Sequence, residues 1–381
     1  AVMWRDQNKV LDQNTTVGPD SIPQFFALGG SQANQGFSNS EVAEVLLYDR
    51  VLSDTELNDL QNYLIVRWSG GEVENFPMLV RLAYANEPGI ALNTFSDSIN
   101  GGDLRFYDQN HQELFYEIEK WNDSNQSWVW VQVPKLNSQS KITAYWGNDS
   151  NTTIPSYSKN GSTWTDFDGV WHLNDTNDST ANLRTATGNG GVNIGNSSLI
   201  GGGVLLDGID DDFSVNEFNG TLSNNDRAIS MWIKSTALSG GGLSGWGTSS
   251  NRWDFSWNTT GPRVEISNTN WEQGIFPNLN DDKWHHLAMS FDGNHSDFSA
   301  VKLFVDGKLT YVSNSSENNA SVNTIAGSAL KIGSLFDGSS RWAGDMDEVR
   351  ISSVKRSPAW YKHSYENQKA STSFLSYSLT Y

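Results

Sequence analysis

The sequence predicts an all-β protein made of antiparallel β-sandwiches in tandem, with short helices near residues 54–67 and 358–368. Short apolar runs recur along the chain, and clusters of Gly, Asn, Ser and Thr separate them, which is the spacing of strands joined by turns. Within several runs apolar and polar residues alternate, as in a strand with one buried face. The run "FVDGKLTYV" carries Asp306-Gly307 at its centre, a pair that favours a tight hairpin turn.

The length and composition indicate several domains with an acidic surface. The chain has 381 residues, more than one ordinary core serves, and 12% of them are aromatic. The formal net charge of −19 disfavours nucleic acid and anionic membranes as partners. The absence of cysteine excludes disulfides, thiol catalysis and cysteine-bound zinc. No run approaches the roughly 18 apolar residues of a membrane span, so we expect no membrane insertion.

Two stretches of the chain resemble each other: "AEVLLYDRVLSDTELNDLQNYL" from Ala43 and "DEVRISSVKRSPAWYKHSYENQ" from Asp347. Both predict a strand, a short turn and a helix. Ser53 with Glu56 forms a capping box in the first, while Ser357 caps a helix with Pro358 at its first position in the second. Few strands precede the first copy, and a sandwich with one sheet facing water is not stable. Residues 1–70 are therefore predicted to be incomplete alone, either as part of a fragment or with strands completed by a neighbouring subunit.

The region 71–160 is predicted to be a small antiparallel sandwich. Its strand candidates are "FPMLVRLAY", "DLRFYD", "LFYEIEKW", "SWVWVQVP" and "KITAYWGN". Val129, Val131 and Val133 alternate with other side chains, which predicts a strand with one apolar face.

The region 164–381 is predicted to be a larger sandwich of the same style. "AISMWIKS", "KWHHLAMSFDG", "KLFVDGKL", "LKIGS" and "MDEVRIS" are among its strand candidates. Neighbouring side chains of a strand point to opposite faces, so His285 and His286 cannot converge on one ion from their strand alone. We expect both histidines to pack within the sheet, and the alternative is that His286 or His285 reaches a ligand on the concave face.

The order of these motifs resembles a LamG-like domain of the concanavalin A-like lectin/glucanase jelly-roll superfamily, covering residues 164–381. Residues 71–160 resemble the domain-of-unknown-function family that often accompanies LamG domains in microbial surface proteins. Residues 1–70 resemble the C-terminal part of a second LamG-like domain. The resemblance implies jelly-roll sandwiches. Laminarinase-type hydrolases of the superfamily carry a Glu-x-Asp-x-x-Glu strand, which the nearest text here, "GDMDEVR", lacks, so we expect no enzyme activity.

The resemblance also makes a structural calcium ion plausible at the rim of a sheet. Asp347 shares its parity with Val349 and Ile351, so it is predicted to point into the core, where a carboxylate needs hydrogen bonds or a cation. The candidate partners are Asp178 and the acidic cluster of Asp207, Asp210, Asp211 and Asp212. The alternative is that Asp347 accepts backbone hydrogen bonds and that the acidic cluster around Asp207 is a solvated turn.

The sixteen tryptophans point to carbohydrate, because an indole face stacks on a sugar ring. Those in Gly-, Ser- and Asn-rich stretches are the candidate contacts: Trp246, Trp271 and Trp342. Packing in the core is the alternative for each. Trp253 and Trp257 share a strand face with Phe255 and are predicted to lie in the core.

These features favour a non-enzymatic extracellular binding or adhesion module of a large microbial surface protein, with glycans or other surface proteins as partners. One alternative is a structural subunit of a fibre or surface lattice, which self-associates through its N-terminal segment. Another is an accessory part of a glycan-degrading enzyme. Asn-x-Ser/Thr triplets are candidate glycosylation sites, at Asn14, Asn122, Asn125, Asn148, Asn151, Asn160, Asn174, Asn196, Asn219, Asn258, Asn294, Asn314 and Asn319.

Overall fold

The computed structural model describes the backbone of residues 2–5 and 8–12, isolated positions from 46 to 64, and most of residues 71–378. The gaps in that last range are residues 84–94, 98, 123–124, 196–197, 268–270, 277–278, 296–297, 311 and 315–319. The chain divides into two compact units, residues 1–64 and residues 65–381.

In the first unit, strands β1 (Val2–Arg5) and β2 (Asn8–Asp12) form an antiparallel hairpin. The predicted capping box is confirmed: the Ser53 amide donates to Glu56 Oε2 at 2.9 Å, and the Glu56 amide donates to Ser53 Oγ at 3.3 Å. Glu56, Leu60 and Leu64 are helical, while the other positions of the helix predicted over 54–67 lie outside the described residues. The predicted completion of residues 1–70 by a neighbouring subunit stays a prediction.

The described residues of the second unit form four antiparallel sheets. Sheet 1 has eight described strands, in the order β10 (Thr187–Asn189), β13 (Asp212–Val215), β23 (Ser328–Ile332), β15 (Gly241–Thr248), β16 (Asn251–Asn258), β17 (Gly261–Glu265), β18 (Trp271–Gly274) and β22 (Val312–Asn314). Sheet 2 has the order β11 (Asn193–Ile194), β12 (Val204–Asp207), β24 (Ala343–Ser352), β14 (Arg227–Lys234), β19 (His285–Phe291), β20 (Val301–Val305) and β21 (Lys308–Leu309), and β9 (Phe167–Trp171) also pairs with β24.

Sheets 3 and 4 belong to the region before residue 160. Sheet 3 has the order β3 (Val73–Ala83), β7 (Gln126–Leu136) and β6 (Tyr116–Lys120). Sheet 4 has the order β5 (Glu113–Leu114), β4 (Arg105–Asp108) and β8 (Ile142–Tyr145). Short 3₁₀ turns occupy Ser156–Ser158 and Phe298–Ala300. The all-β prediction is confirmed.

The inner faces of sheets 1 and 2 enclose a hydrophobic core. Trp253, Phe255 and Trp257 contribute from sheet 1, as predicted, and Leu287 and Met289 contribute from sheet 2. The predicted hairpin is confirmed, since Val305 pairs with Lys308 across Asp306 and Gly307, and both turn residues have positive φ.

A second core joins sheets 3 and 4 to the outer face of sheet 2. Phe76 and Val129 from the small sandwich share it with Ala288 and Phe304 from sheet 2. Both faces of the middle of β7 are therefore buried, where the alternation of valines predicted only one apolar face. The division into regions 71–160 and 164–381 stays a prediction, but the side chains of the two regions share a core.

Helix α1 (Pro358–Gln368) connects the two regions. It begins as predicted, with Ser357 as N-cap accepting a hydrogen bond from the Trp360 amide and Pro358 in the first turn. Asn367 binds β3 through both its oxygen and its nitrogen, at 2.7 Å from the Leu79 amide and 3.0 Å from the Leu79 carbonyl. Gln368 accepts a hydrogen bond from Trp232 Nε1 of sheet 2 at 2.7 Å, so one helix end contacts both regions.

Candidate functional site

A β-bulge in β24 turns two adjacent acidic residues toward the small sandwich. The pairing with β14 shifts between Trp232, which lies opposite Asp347, and Ser230, which lies opposite Arg350. Glu348 has a φ of 56°. Across this shift β24 has one residue more than β14, and the extra residue reverses the alternation of side chains between the two sheet faces that the sequence predicted. Asp347 therefore does not share the core side with Val349. This corrects the predicted orientation, because Asp347 faces the same side as its partner Trp232.

Four ionisable side chains meet behind this bulge, and we call them the joint cluster: Glu117 and Glu119 of β6, His172 directly after β9, and Glu348 of β24. His172 Nδ1 lies 2.7 Å from Glu348 Oε1 and 3.7 Å from Glu119 Oε2, and His172 Nε2 lies 3.6 Å from Glu117 Oε2. The side chains of Glu119 and Glu348 are 0% and 1% exposed. The cluster thus lies at the junction of the two regions.

Indole rings and one guanidinium surround the joint cluster. Arg350 donates to Glu348 Oε2 at 2.5 Å, and its guanidinium lies 4.1 Å from the Trp130 ring centroid and 4.8 Å from that of Trp164. Trp130 Nε1 donates to Glu119 Oε2 at 2.8 Å, and Trp164 Nε1 donates to Glu117. These contacts fix the three carboxylates and give at least one oxygen of each a hydrogen-bond partner.

Burial and the charges of neighbouring side chains shift the pKa values of the joint cluster in different directions. Burial, together with the Glu348 charge, raises the pKa of Glu119 to about 8. Burial alone would lower the pKa of His172, but the carboxylates of Glu348 and Glu119 raise it well above its ordinary value. Burial also acts to raise the pKa of Glu348, but His172 and Arg350 outweigh it and lower that pKa. Burial, together with the charges of Glu348 and Glu119, raises the pKa of Asp347.

A cleft with a cavity volume of about 620 Å³ opens onto the joint cluster. Glu117, Glu119 and His172 line it, together with Trp121 and with the loop that follows β9. Such a volume lies within the range of small-ligand sites.

The outer face of sheet 1 carries an aromatic and charged surface, which we call the Trp271 patch: Trp271, Arg263, Glu265, Arg252 and Phe336. The Arg263 guanidinium lies 4.4 Å from the Trp271 ring centroid, and Arg263 Nε lies 2.7 Å from Glu265 Oε1. Arg252 bonds Glu265 at 2.8 Å and lies 5.3 Å from the Phe336 ring centroid. The charged side chains are partly exposed at Arg263 and Glu265, with 24% and 18% of their surface accessible.

Trp271 is half-buried, so part of its surface is open to a ligand. The other two predicted carbohydrate contacts are core residues: Trp246 is 0% and Trp342 is 1% exposed. Their indole nitrogens donate to the Thr221 and Asp345 carbonyls. A buried ring offers no face to a sugar, which corrects the prediction for these two.

The predicted calcium ligands do not form one group. Asp207 and Asp210 lie near Asp211, with ligand atoms within 4.8 Å, but among the described residues no such group includes Asp178 or Asp347. Asp207 accepts three backbone amides within its own turn.

Asp178 already accepts four hydrogen bonds, from three backbone amides and the Thr180 hydroxyl. These hydrogen bonds already compensate the burial of the Asp178 carboxylate, so it does not need a cation. Calcium prefers six to eight oxygen ligands. Calcium binding stays a prediction.

The two neighbouring histidines point to opposite faces, as predicted. His286 is buried on the outer face of sheet 2, where its ring centroid lies 5.2 Å from that of Trp232. His285 lies between two carboxylates, with Nδ1 at 2.9 Å from Asp306 and Nε2 at 3.0 Å from Asp281. Neither forms a metal group within the described part of the chain.

Most described glycosylation candidates lie at the surface. The exposed ones are Asn125, Asn148, Asn151, Asn160, Asn219 and Asn294, and the half-buried ones are Asn122, Asn174 and Asn258. Only the backbone of Asn314 is described, and Asn14, Asn196 and Asn319 lie outside the described residues. Glycosylation stays a prediction for all of them.

The sequence analysis did not single out Glu117, Glu119, His172 or Arg350. A local signal existed, since Glu117 and Glu119 share one face of a predicted strand beside a tryptophan-rich strand. The contact of these two carboxylates with His172, about fifty residues later, follows only from the packing of the two regions.

Family models match two segments of the chain. Residues 206–360 match the concanavalin A-like lectin/glucanases superfamily, and residues 100–181 match a domain of unknown function, DUF2341. The resemblance found in the sequence is therefore confirmed for these segments, whereas that of residues 1–70 stays a prediction. No curated protein matches the chain.

Solved structures that match this chain each cover about half of it. Domain 4 of AbnA, an extracellular arabinanase from Geobacillus stearothermophilus, in complex with arabinotriose, has 21% identity and a TM-score of 0.41, over 51% of this chain and 96% of that one. The botulinum neurotoxin serotype D binding domain has 15% identity and a TM-score of 0.39, over 53% of this chain and 52% of that one.

No long apolar helix able to span a membrane occurs among the described residues.

Proposed function

We propose that this chain is a non-catalytic carbohydrate-binding module and that it takes its glycan at the Trp271 patch. The observation that carries the proposal is a half-buried indole beside a fixed guanidinium and carboxylate on the open side of a lectin-type sheet. The indole supplies an apolar face, and Arg263 and Glu265 supply a donor and an acceptor for sugar hydroxyls.

The network within the patch supports this role. Arg252 and Arg263 both bond Glu265, which holds the three groups in place before a ligand arrives. A preformed site loses less conformational entropy on binding than a mobile one.

We propose an extracellular location, at a cell surface, where the module acts in adhesion. The exposed Asn-x-Ser/Thr triplets and the formal net charge of −19 support this, as both suit a soluble domain outside a cell.

A glycan array tests the proposed function. Trp271→Ala should weaken binding of the best glycan at least tenfold, and Arg263→Ala should weaken it several-fold, because each removes one part of the contact. Tyr145→Ala is the matched control, since this aromatic is 50% exposed and lies in sheet 4, outside the patch. Absence of binding by the unmodified chain, or unchanged binding after Trp271→Ala, would contradict the proposal.

A further inference from the structure

Three donors of the joint cluster already lie at distances close to those around a metal ion. The ligand atoms of Glu119, His172 and Glu348 all lie within 4.8 Å of one another. Two of these separations, 2.7 Å and 3.7 Å from His172 Nδ1, bracket the edge of about 3.3 Å expected for tetrahedral zinc with bonds near 2.05 Å. Small shifts of these side chains would bring all three onto one centre.

Buried atoms in this cluster lack the partners that burial requires. Among the described residues, Glu119 Oε1 and His172 Nε2 have no hydrogen-bond partner, although their side chains are 0% and 5% exposed, and His172 Nε2 has only the 3.6 Å ion-pair contact with Glu117. Asp347 Oδ1, next in sequence to Glu348, also has no hydrogen-bond partner within the described part of the chain, while Asp347 Oδ2 accepts hydrogen bonds from the Leu199 and Ile200 amides. An unpartnered buried carboxylate oxygen is costly without a proton or a cation.

The surrounding residues orient the donors as supporting groups orient metal ligands. Arg350 bonds Glu348 Oε2, which leaves Oε1 directed at His172. Trp130 Nε1 holds the carboxylate of Glu119. Such neighbours fix the donor atoms before the ion binds.

The cleft gives an ion a route to this place. Glu119 and His172 both line it, and Glu117 stands at its wall with 19% of its side chain exposed. The fourth coordination position can be filled from the cleft by water or by Glu117.

One imidazole nitrogen with carboxylate oxygens suits a first-row transition ion better than calcium, which takes oxygen ligands alone. We propose that Glu119, His172 and Glu348 bind one divalent transition-metal ion, of the zinc type, at the junction between β6 of the small sandwich and β9 and β24 of the jelly roll. The ion links the two regions.

Titration of the full chain, freed of metal with a chelator, tests this site. Zinc chloride followed by calorimetry should give one ion per chain and raise the melting temperature. Glu119→Gln, which keeps the shape of the side chain but removes its charge, should weaken zinc binding at least tenfold. Glu348→Gln is the second variant, and circular dichroism confirms the fold of both.

Glu217→Gln is the matched control, because Glu217 is exposed and lies in neither of the potential metal-binding groups of the described residues. It should bind zinc as the unmodified chain does. The site is refuted if the unmodified chain takes up no zinc, or if both folded variants of the joint cluster bind zinc as tightly as Glu217→Gln does. Cobalt(II) should show the intense visible absorption of a four-coordinate ion, and the pale spectrum of hydrated cobalt would equally contradict the proposal.

Discussion

At the scale of single residues, the outer face of sheet 2 is unusual because polar groups are buried between two regions. Arg350 lies between two indoles, and the bulge at Glu348 places its carboxylate beside His172. The strand pattern predicted the core positions Val349 and Ile351 correctly, but no local pattern in the sequence marks the extra residue of a bulge. The wrong orientation of Asp347 follows from that single shift.

His286 carries a pH prediction. Burial lowers its pKa to about 3, and the opposing charges of Asp306 and Arg350 are secondary. Below an ordinary imidazole pKa of about 6.5 the unfolded chain takes up a proton that the folded chain does not. The free energy of unfolding should therefore fall by up to about 1.4 kcal/mol per unit as pH decreases toward 3.

Urea unfolding at pH 7, 5 and 4 measures this slope. His286→Phe should flatten it, because the variant has no imidazole to protonate. His111→Gln, at an exposed turn, is the control and should keep the original slope. An unchanged slope in His286→Phe would show that other groups govern the acid sensitivity.

At the scale of elements, the sequence predicted strands, turns and caps well because these depend on local pattern. The hairpin at Asp306-Gly307 and the cap at Ser357 both occur where expected. The tryptophans show the limit, since Trp246 and Trp271 lie in similar Gly- and Ser-rich surroundings, yet one is buried and the other half-exposed. Only the packing of sheet 1 distinguishes them.

The glycines of β15 allow a loop to cross the outer face of sheet 1. A Cβ on Gly245 would lie 2.2 Å from Asp254 Oδ1 and 2.4 Å from the Phe336 amide nitrogen, closer than real contacts. Gly245→Ala should therefore destabilise the protein by about 1–3 kcal/mol and displace the loop that carries Phe336.

Thermal or urea unfolding checks this effect, with Gly191→Ala as the matched control. A Cβ at Gly191 meets its nearest atom only at 4.0 Å. The control should change the free energy of unfolding by less than about 0.5 kcal/mol. Equal stability of the two variants would mean that the loop does not pack as described.

At the scale of the whole molecule, the two segments that match different families are parts of one structure. Phe76 of β3 lies 5.1 Å from Trp360 of α1, measured between ring centroids, and the second core extends from sheet 3 to sheet 2. The sequence predicted domains that follow one another in tandem. It could not predict the shared core, because the pattern of apolar residues along the chain does not show which sheet faces pack against each other. We expect sheets 3 and 4 to unfold together with the jelly roll, because they share a hydrophobic core with sheet 2.

Native-state hydrogen exchange on the full chain, with Trp360→Ala as the perturbation, tests whether the two regions unfold together. Trp360 is 6% exposed and borders both regions, so its loss should cost about 3–5 kcal/mol. If the regions form one cooperative unit, the protected amides of β7 and β24 should both exchange faster, by the same factor. Faster exchange confined to β7, with β24 as slow as in the unmodified chain, would show that the small sandwich opens by itself and would contradict the account.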